Sequence, residues 1–273
     1  MPSIQELREL TQKEKIEGRE RPWGYASLQR GPSVYLTWLL VRTPITPNVI
    51  TLVSIACGVA GSIASAQVSW NAKMAGFVLI YLNLLLDRVD GEVARYKHTY
   101  SLRGIYLDEL NHLFIPLLFF FALAWGLAQT SASIPPLILI LCGVAAGFAS
   151  ILLRITHNLS YQIFLKKYVK HREFFPAGTD LTSVATIRKE YSLAYPMVKV
   201  FHQFQDFFIT LLVFAIVLIV ERLWSPYYFL YPYSSYLLAI YAVYLWLIVF
   251  ENIAKGLLTI EARMKELDRP DNG

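Results

Sequence analysis

The chain has 273 residues, of which 55% are hydrophobic, 14% are aromatic and only 16% are Asp, Glu, Lys or Arg. A soluble domain carries roughly 25% charge, so this composition excludes a soluble, a disordered and a collagen-like protein, and the long apolar blocks point to an integral membrane protein. The two cysteines, Cys57 and Cys142, both lie inside apolar blocks, which excludes a disulfide framework or a cysteine zinc site. The net charge of +5 does not form a stripe for nucleic acid. Its basic residues sit at the ends of apolar blocks, as a membrane topology pattern requires.

Residues 1–33 mix Glu, Lys, Arg and Gln with spaced Ile and Leu, so no cleavable signal peptide is expected there. The apolar patch from Val34 to Val41 is too short to span and reads as an interfacial amphipathic helix ahead of the first span. Crossing the hydrocarbon core takes about 20 apolar residues. Six segments qualify, at 47–68, 72–96, 103–128, 134–158, 206–225 and 235–258. Thr46 can cap the first, Pro47 suits its first turn, and Pro135 and Pro136 open the fourth. The expected fold is therefore an all-α membrane protein of six transmembrane helices.

With the N-terminus in the cytoplasm, the outer connections 67–73, 128–134 and 222–236 hold only Lys73 and Arg222 of the 25 Lys and Arg residues. The positive-inside rule then places both termini in the cytoplasm. The aromatic stretch from Trp224 to Tyr233 reads as an interfacial belt on the outer side. The expected organisation is an N-terminal segment 1–45, a six-helix domain 46–260 and a cytoplasmic tail 261–273. Within it, residues 165–205 form a cytoplasmic loop with Lys166, Lys167, Lys170, Arg172, Arg188 and Lys189. That loop is either solvated and drawn to anionic headgroups or a cationic lining for a phosphate-bearing substrate.

Ionisable groups at the ends of apolar spans are costly unless paired or metal-bound, which makes them default site candidates. After Leu86 the second span meets Asp87, Asp90, Gly91 and Ala94, whose spacing puts them on one helical face. Two carboxylates one turn apart repel unless a cation lies between them. Gly91 and Ala94 leave that face shallow for a flat ligand or another backbone. Asp108 and His112 share a face of the third span, and a loop at about 96–103 folds the two helices into an antiparallel hairpin. Three Asp and one His then converge, an oxygen-rich set suited to Mg2+ or Mn2+. Singly, Asp87 can pair with Arg88 or Arg95, and Asp108 can sit among headgroups.

Residues 87–112 resemble the signature of the CDP-alcohol phosphatidyltransferase family, D-x2-D-G-x2-A-R-x8-G-x3-D-x3-D. Asp87, Asp90, Gly91, Ala94, Arg95, Gly104 and Asp108 stand at those spacings, and Thr46-Pro47-Asn48 with Thr51 resembles the family's first-span opening. The last Asp is replaced by His112, with Asn111 beside it. The resemblance implies transfer of a substituted phosphoryl group from a CDP-alcohol (CDP-diacylglycerol or a CDP-linked small alcohol) to a lipid or polyol acceptor. CMP would be released at the cytoplasmic face by a homodimer in phospholipid or related headgroup synthesis. It implies two divalent ions held by Asp87, Asp90 and Asp108, and a nucleotide site at Asn48, Thr51, Asp87, Gly91, Ala94, Arg95 and Gly104.

His112 brings one fewer negative charge than Asp, but its ordinary pKa near 6.5 suits a general base at neutral pH. It is read, with Asp108, as a base or metal ligand. The alternatives are a degenerate member that binds CDP-alcohol without turnover, or a site of altered specificity. Arg154, at the inner end of the fourth span, either binds an acceptor phosphate or snorkels to the interface. Glu251 and Lys255 read as an i,i+4 pair, while His157, His171 and His202 have no assigned partner.

Overall fold

A computed structural model describes residues 3–13, 25–131, 133–171, 202–224 and 233–267. Among the described residues there is no strand. The chain opens with α1 (Ile4–Thr11), started by a capping box in which Ser3 Oγ accepts from Glu6 N–H at 3.1 Å and Glu6 Oε2 accepts from Ser3 N–H at 2.7 Å. A π-helical turn, Tyr25–Arg30, runs into α2 (Gly31–Leu40). Then follow α3 (Pro47–Ser65), α4 (Trp70–Lys97), α5 (Leu102–Ala128), α6 (Pro136–His171), α7 (Phe207–Trp224) and α8 (Tyr233–Leu267).

Five of these helices, α3, α5, α6, α7 and α8, are long and apolar enough to cross a membrane. The segment expected as a further span, 72–96, lies in α4. At 28 residues α4 is about 42 Å long, but only its first half is apolar, because Asp87, Arg88, Asp90, Glu92 and Arg95 load the second. Burial in α3 is inverted relative to a soluble helix. Thr51, Ser54, Gly58, Gly61, Ser62 and Ser65 face inward, while Val49, Leu52, Val53, Val59 and Ile63 are exposed. Such a surface is stable against hydrocarbon and costly against water.

Small residues let α3 and α4 pack backbone against backbone. A Cβ on Gly61 would lie 2.9 Å from Gly76 O, and one on Gly76 would lie 2.6 Å from Gly61 O. Aromatic rings fill the middle of the bundle. Phe77 meets Phe119 edge-on at 5.2 Å, and Phe120 stacks on Tyr241 at 5.6 Å.

Several expectations change in detail. Thr46 occupies the N-cap position of α3, but its side chain makes no capping bond; Pro47 begins the helix. Lys73, expected in an outer connection, is inside α4 and fully buried, with Nζ donating to the carbonyls of Val68 (3.2 Å) and Gly126 (3.3 Å). The loop expected from 165 begins later, since α6 continues to His171, and α8 likewise continues into the expected tail as far as Leu267. Lysines do not end a helix, and Leu165-Lys-Lys-Tyr-Val-Lys carries no breaker. The side chains of Lys166, Lys167, Lys170, His157 and His171, all of Arg172, Arg188 and Lys189, and residues 225–232 of the aromatic belt lie outside the described residues. The patch from Val34 lies in α2, which buries Ser33, Val34 and Thr37 and exposes Tyr35 and Leu39.

Candidate active site

The site lies between α4 and α5, which are joined by a short loop and each pack on α3. Three local features set its geometry. His98, at φ 53°, ends α4 in the left-handed conformation. Ser101 starts α5, its Oγ accepting from Gly104 N–H at 2.9 Å. Lys97 Nζ donates to the carbonyls of Thr43 (2.7 Å) and Ile45 (3.0 Å), tying the approach to α3 against the end of α4.

Between these ends lies a cavity of about 390 Å3. It is lined by Asn48, Thr51, Asp87, Asp90, Gly91, Ala94, Arg95, Gly104, Asp108 and His112, which are the expected site residues apart from Arg154. Arg154 instead pairs with Glu109, with Nη2 and Nε each 2.9 Å from Oε2.

Asp87, Asp108 and His112 converge, with one ligand atom from each lying within 4.8 Å of the others. His112 Nε2 is 3.6 Å from Asp87 Oδ1 and 3.6 Å from Asp108 Oδ1. Those separations are too long for hydrogen bonds, and the set of two carboxylates and an imidazole fits a divalent cation. Asp90 stands apart from this trio. Its Oδ2 accepts a 2.5 Å hydrogen bond from Thr51 Oγ1, so the residue expected in the nucleotide site holds the carboxylate expected as a ligand. Asp87 takes the Arg88 pairing rather than Arg95, at 3.1 Å. Arg95 turns to the N-terminal segment, where Nε donates to Thr11 O at 2.9 Å.

Sequence reasoning missed the polar relay behind Asp87. Asn111 Nδ2 donates to Asp87 Oδ1 at 3.1 Å, and Asn83 Nδ2 donates to Asn111 Oδ1 at 2.8 Å. Asn83 in turn bonds Ser54 O at 2.9 Å, linking three helices through buried amides. The available cue was a lone Asn83 in an apolar run and Asn111 standing beside His112. The cavity lining also includes Arg30 from the π-helical turn, another residue without a sequence assignment. Outside the cavity lining, Glu251 makes the expected pair with Lys255 and also faces His202 Nε2 at 3.4 Å.

Among the described residues, a helical bundle with five helices long and apolar enough to cross a membrane, and an acidic cavity between α4 and α5 that could hold a metal ion, is the architecture of an integral membrane protein with a candidate cation site. The chain belongs to the CDP-alcohol phosphatidyltransferase family, whose model matches residues 44–262. The family transfers a phosphatidyl or related group from a CDP-alcohol to an alcohol acceptor and generally depends on divalent metal. No curated protein matches the chain.

Proposed function

We propose that this protein is a working, metal-dependent transferase that moves a substituted phosphoryl group from a CDP-alcohol to an acceptor hydroxyl and releases CMP. The observation that carries the reading is His112 Nε2 placed 3.6 Å from both Asp87 and Asp108 in the cavity. A site that had merely lost its last Asp would have no reason to keep a titratable group there.

Asp87, Asp90 and Asp108 would hold Mg2+ or Mn2+, two ions in the full complex, and their charge would offset that of the donor diphosphate and its leaving group. His112 takes the proton from the acceptor hydroxyl as its oxygen bonds to phosphorus. The phosphorus–oxygen bond to CMP breaks, and CMP carries away the electron pair. The two carboxylates beside His112 stabilise the imidazolium that forms, as a carboxylate does in a catalytic triad. Asn48, Gly91, Ala94, Arg95 and Gly104 form the wall for the nucleotide, with Thr51 fixing Asp90.

In the same reading α4 is a sixth span whose charged end meets the cytoplasmic headgroup layer, with both termini on that side and α2 lying at the interface. The domain comprises residues 46–260 and works as a homodimer in phospholipid or related headgroup synthesis. Its donor is CDP-diacylglycerol or a CDP-linked small alcohol, and its acceptor a lipid or polyol.

The test is CMP release by wild type, His112→Ala and His112→Asp across a metal titration. A general base contributes about 10²–10⁴-fold, so alanine should lose at least about 100-fold in rate at saturating metal. Aspartate should recover part of the rate. Alanine as active as wild type would refute the role of His112.

A further inference from the structure

Glu92 lies two residues beyond Asp90 on α4, occupies a variable position of the signature, and is fully buried. The transfer chemistry makes no use of it, yet four side chains from the N-terminal segment converge on its carboxylate. Oε1 accepts from Arg30 Nη1 at 2.6 Å, Ser33 Oγ at 2.7 Å and Gln12 Nε2 at 3.0 Å, and Oε2 accepts from Thr37 Oγ1 at 2.6 Å. These donors come from the end of α1, the π-helical turn and α2, so one carboxylate holds three separate elements.

A buried ion pair is weak evidence for stability, because desolvation offsets the attraction; its best-attested use is to fix registry. Here the registry concerns the cavity. Arg30, the partner of Glu92, lines it, as does Arg95. Arg95 is anchored to the last carbonyl of α1, Thr11 O, one of the backbone acceptors a helix end leaves unsatisfied. The next residue, Gln12, bonds both Glu92 and the carbonyl of Arg30 (2.8 Å). The end of α1 therefore touches both arginines, and Glu92 sets where that end sits. Guanidinium groups bind phosphate oxygens in a planar fork whose direction matters.

We propose that Glu92 is a positioning residue of the donor site: through Gln12, Arg30 and the end of α1 it orients Arg30 and Arg95 toward the diphosphate of the CDP donor. The N-terminal segment is thereby part of the nucleotide site. This rests on the reading of the cavity as a CDP-alcohol site.

The test uses the full chain in detergent with CDP and Mg2+ as the probe, read by calorimetry, with steady-state KM and kcat measured alongside. Glu92→Gln removes the negative charge that faces Arg30 and should weaken CDP binding at least tenfold. It should raise the donor KM and leave the acceptor KM and half-saturating metal concentration within about twofold. Glu92→Asp should recover part of the CDP affinity. Gln12→Ala is the milder second variant should Glu92→Gln fail to fold. Gln12 is not part of the cavity lining, so the expected threefold or greater loss of CDP affinity must act through the arginines. Unchanged CDP affinity in Gln12→Ala, or in a folded Glu92→Gln, overturns the positioning role while leaving the transferase reading intact. Absence of CDP binding by wild type refutes both.

Discussion

Asn111 offers the sharpest test of how the site is held. It is 3% exposed and bridges Asn83 to Asp87. Replacing it by alanine removes a hydrogen bond to a charged carboxylate, a loss of about 1.5–3 kcal/mol. Asn83 suffers less, because its amide keeps both Ser54 acceptors at 2.9 Å. The cost therefore falls on Asp87. That range corresponds to about 10–150-fold, in line with the 10–100-fold effects typical of residues that orient metal ligands. Asn111→Ala should raise the half-saturating metal concentration for CMP release by about 10–100-fold and lower kcat/KM at fixed metal to a similar degree. Helical content and elution in detergent should match wild type. A metal response within threefold of wild type would refute the idea that the amide relay orients Asp87.

Two further substitutions separate the site from its scaffold. A Cβ on Gly104 would lie 2.7 Å from Asn48 Oδ1, which also accepts from Ser101 Oγ at 2.9 Å. Gly104→Ala should displace the Asn48 amide and weaken CDP binding by about tenfold, the equivalent of one hydrogen bond, without lowering helical content. A Cβ on Gly76 would meet Gly61 O at 2.6 Å and Ser65 N at 2.7 Å, backbone atoms that cannot yield unless α3 and α4 separate. Gly76→Ala should cost about 1–3 kcal/mol of stability, seen as a lower thermal midpoint. Because Gly76 lies about 16 Å along α4 from Asp87, kcat below that midpoint should hold.

Local spacing made the acidic face of α4 legible. Asp87, Asp90, Gly91 and Ala94 are related by helical geometry alone, and a short loop leaves Asp108 and His112 little choice but to meet them. Thr51 and Asn48 were legible only through the family pattern, because their contacts to Asp90 and Ser101 span 39 and 53 residues. Asn83 carried no pattern, since one amide in an apolar run is equally compatible with a lipid-facing and a buried position, and Asn111 was overshadowed by the ionisable Asp108, Glu109 and His112 beside it. Glu92 and Arg30, 62 residues apart, belonged in sequence to different segments. Their pairing follows from where the N-terminal segment packs, which charge and hydropathy do not specify. The spans 134–158 and 235–258 were legible and match the apolar stretches Pro136–Thr156 and Tyr233–Leu258, while the charged continuations of α6 and α8 were not, because Lys and Glu favour helix as readily as Leu does.

The central claim is turnover at a metal-dependent CDP-alcohol site, and its most direct test is CMP release by the wild-type protein reconstituted in lipid. A panel of CDP-diacylglycerol and CDP-linked small alcohols, each with lipid and polyol acceptors, should yield one donor that releases CMP in equal amount to the phosphodiester formed. Chelation should stop the release, and Mg2+ or Mn2+ should restore it. Tight CDP binding with no CMP released from any donor would contradict the account and mark the protein as a binder that has lost turnover.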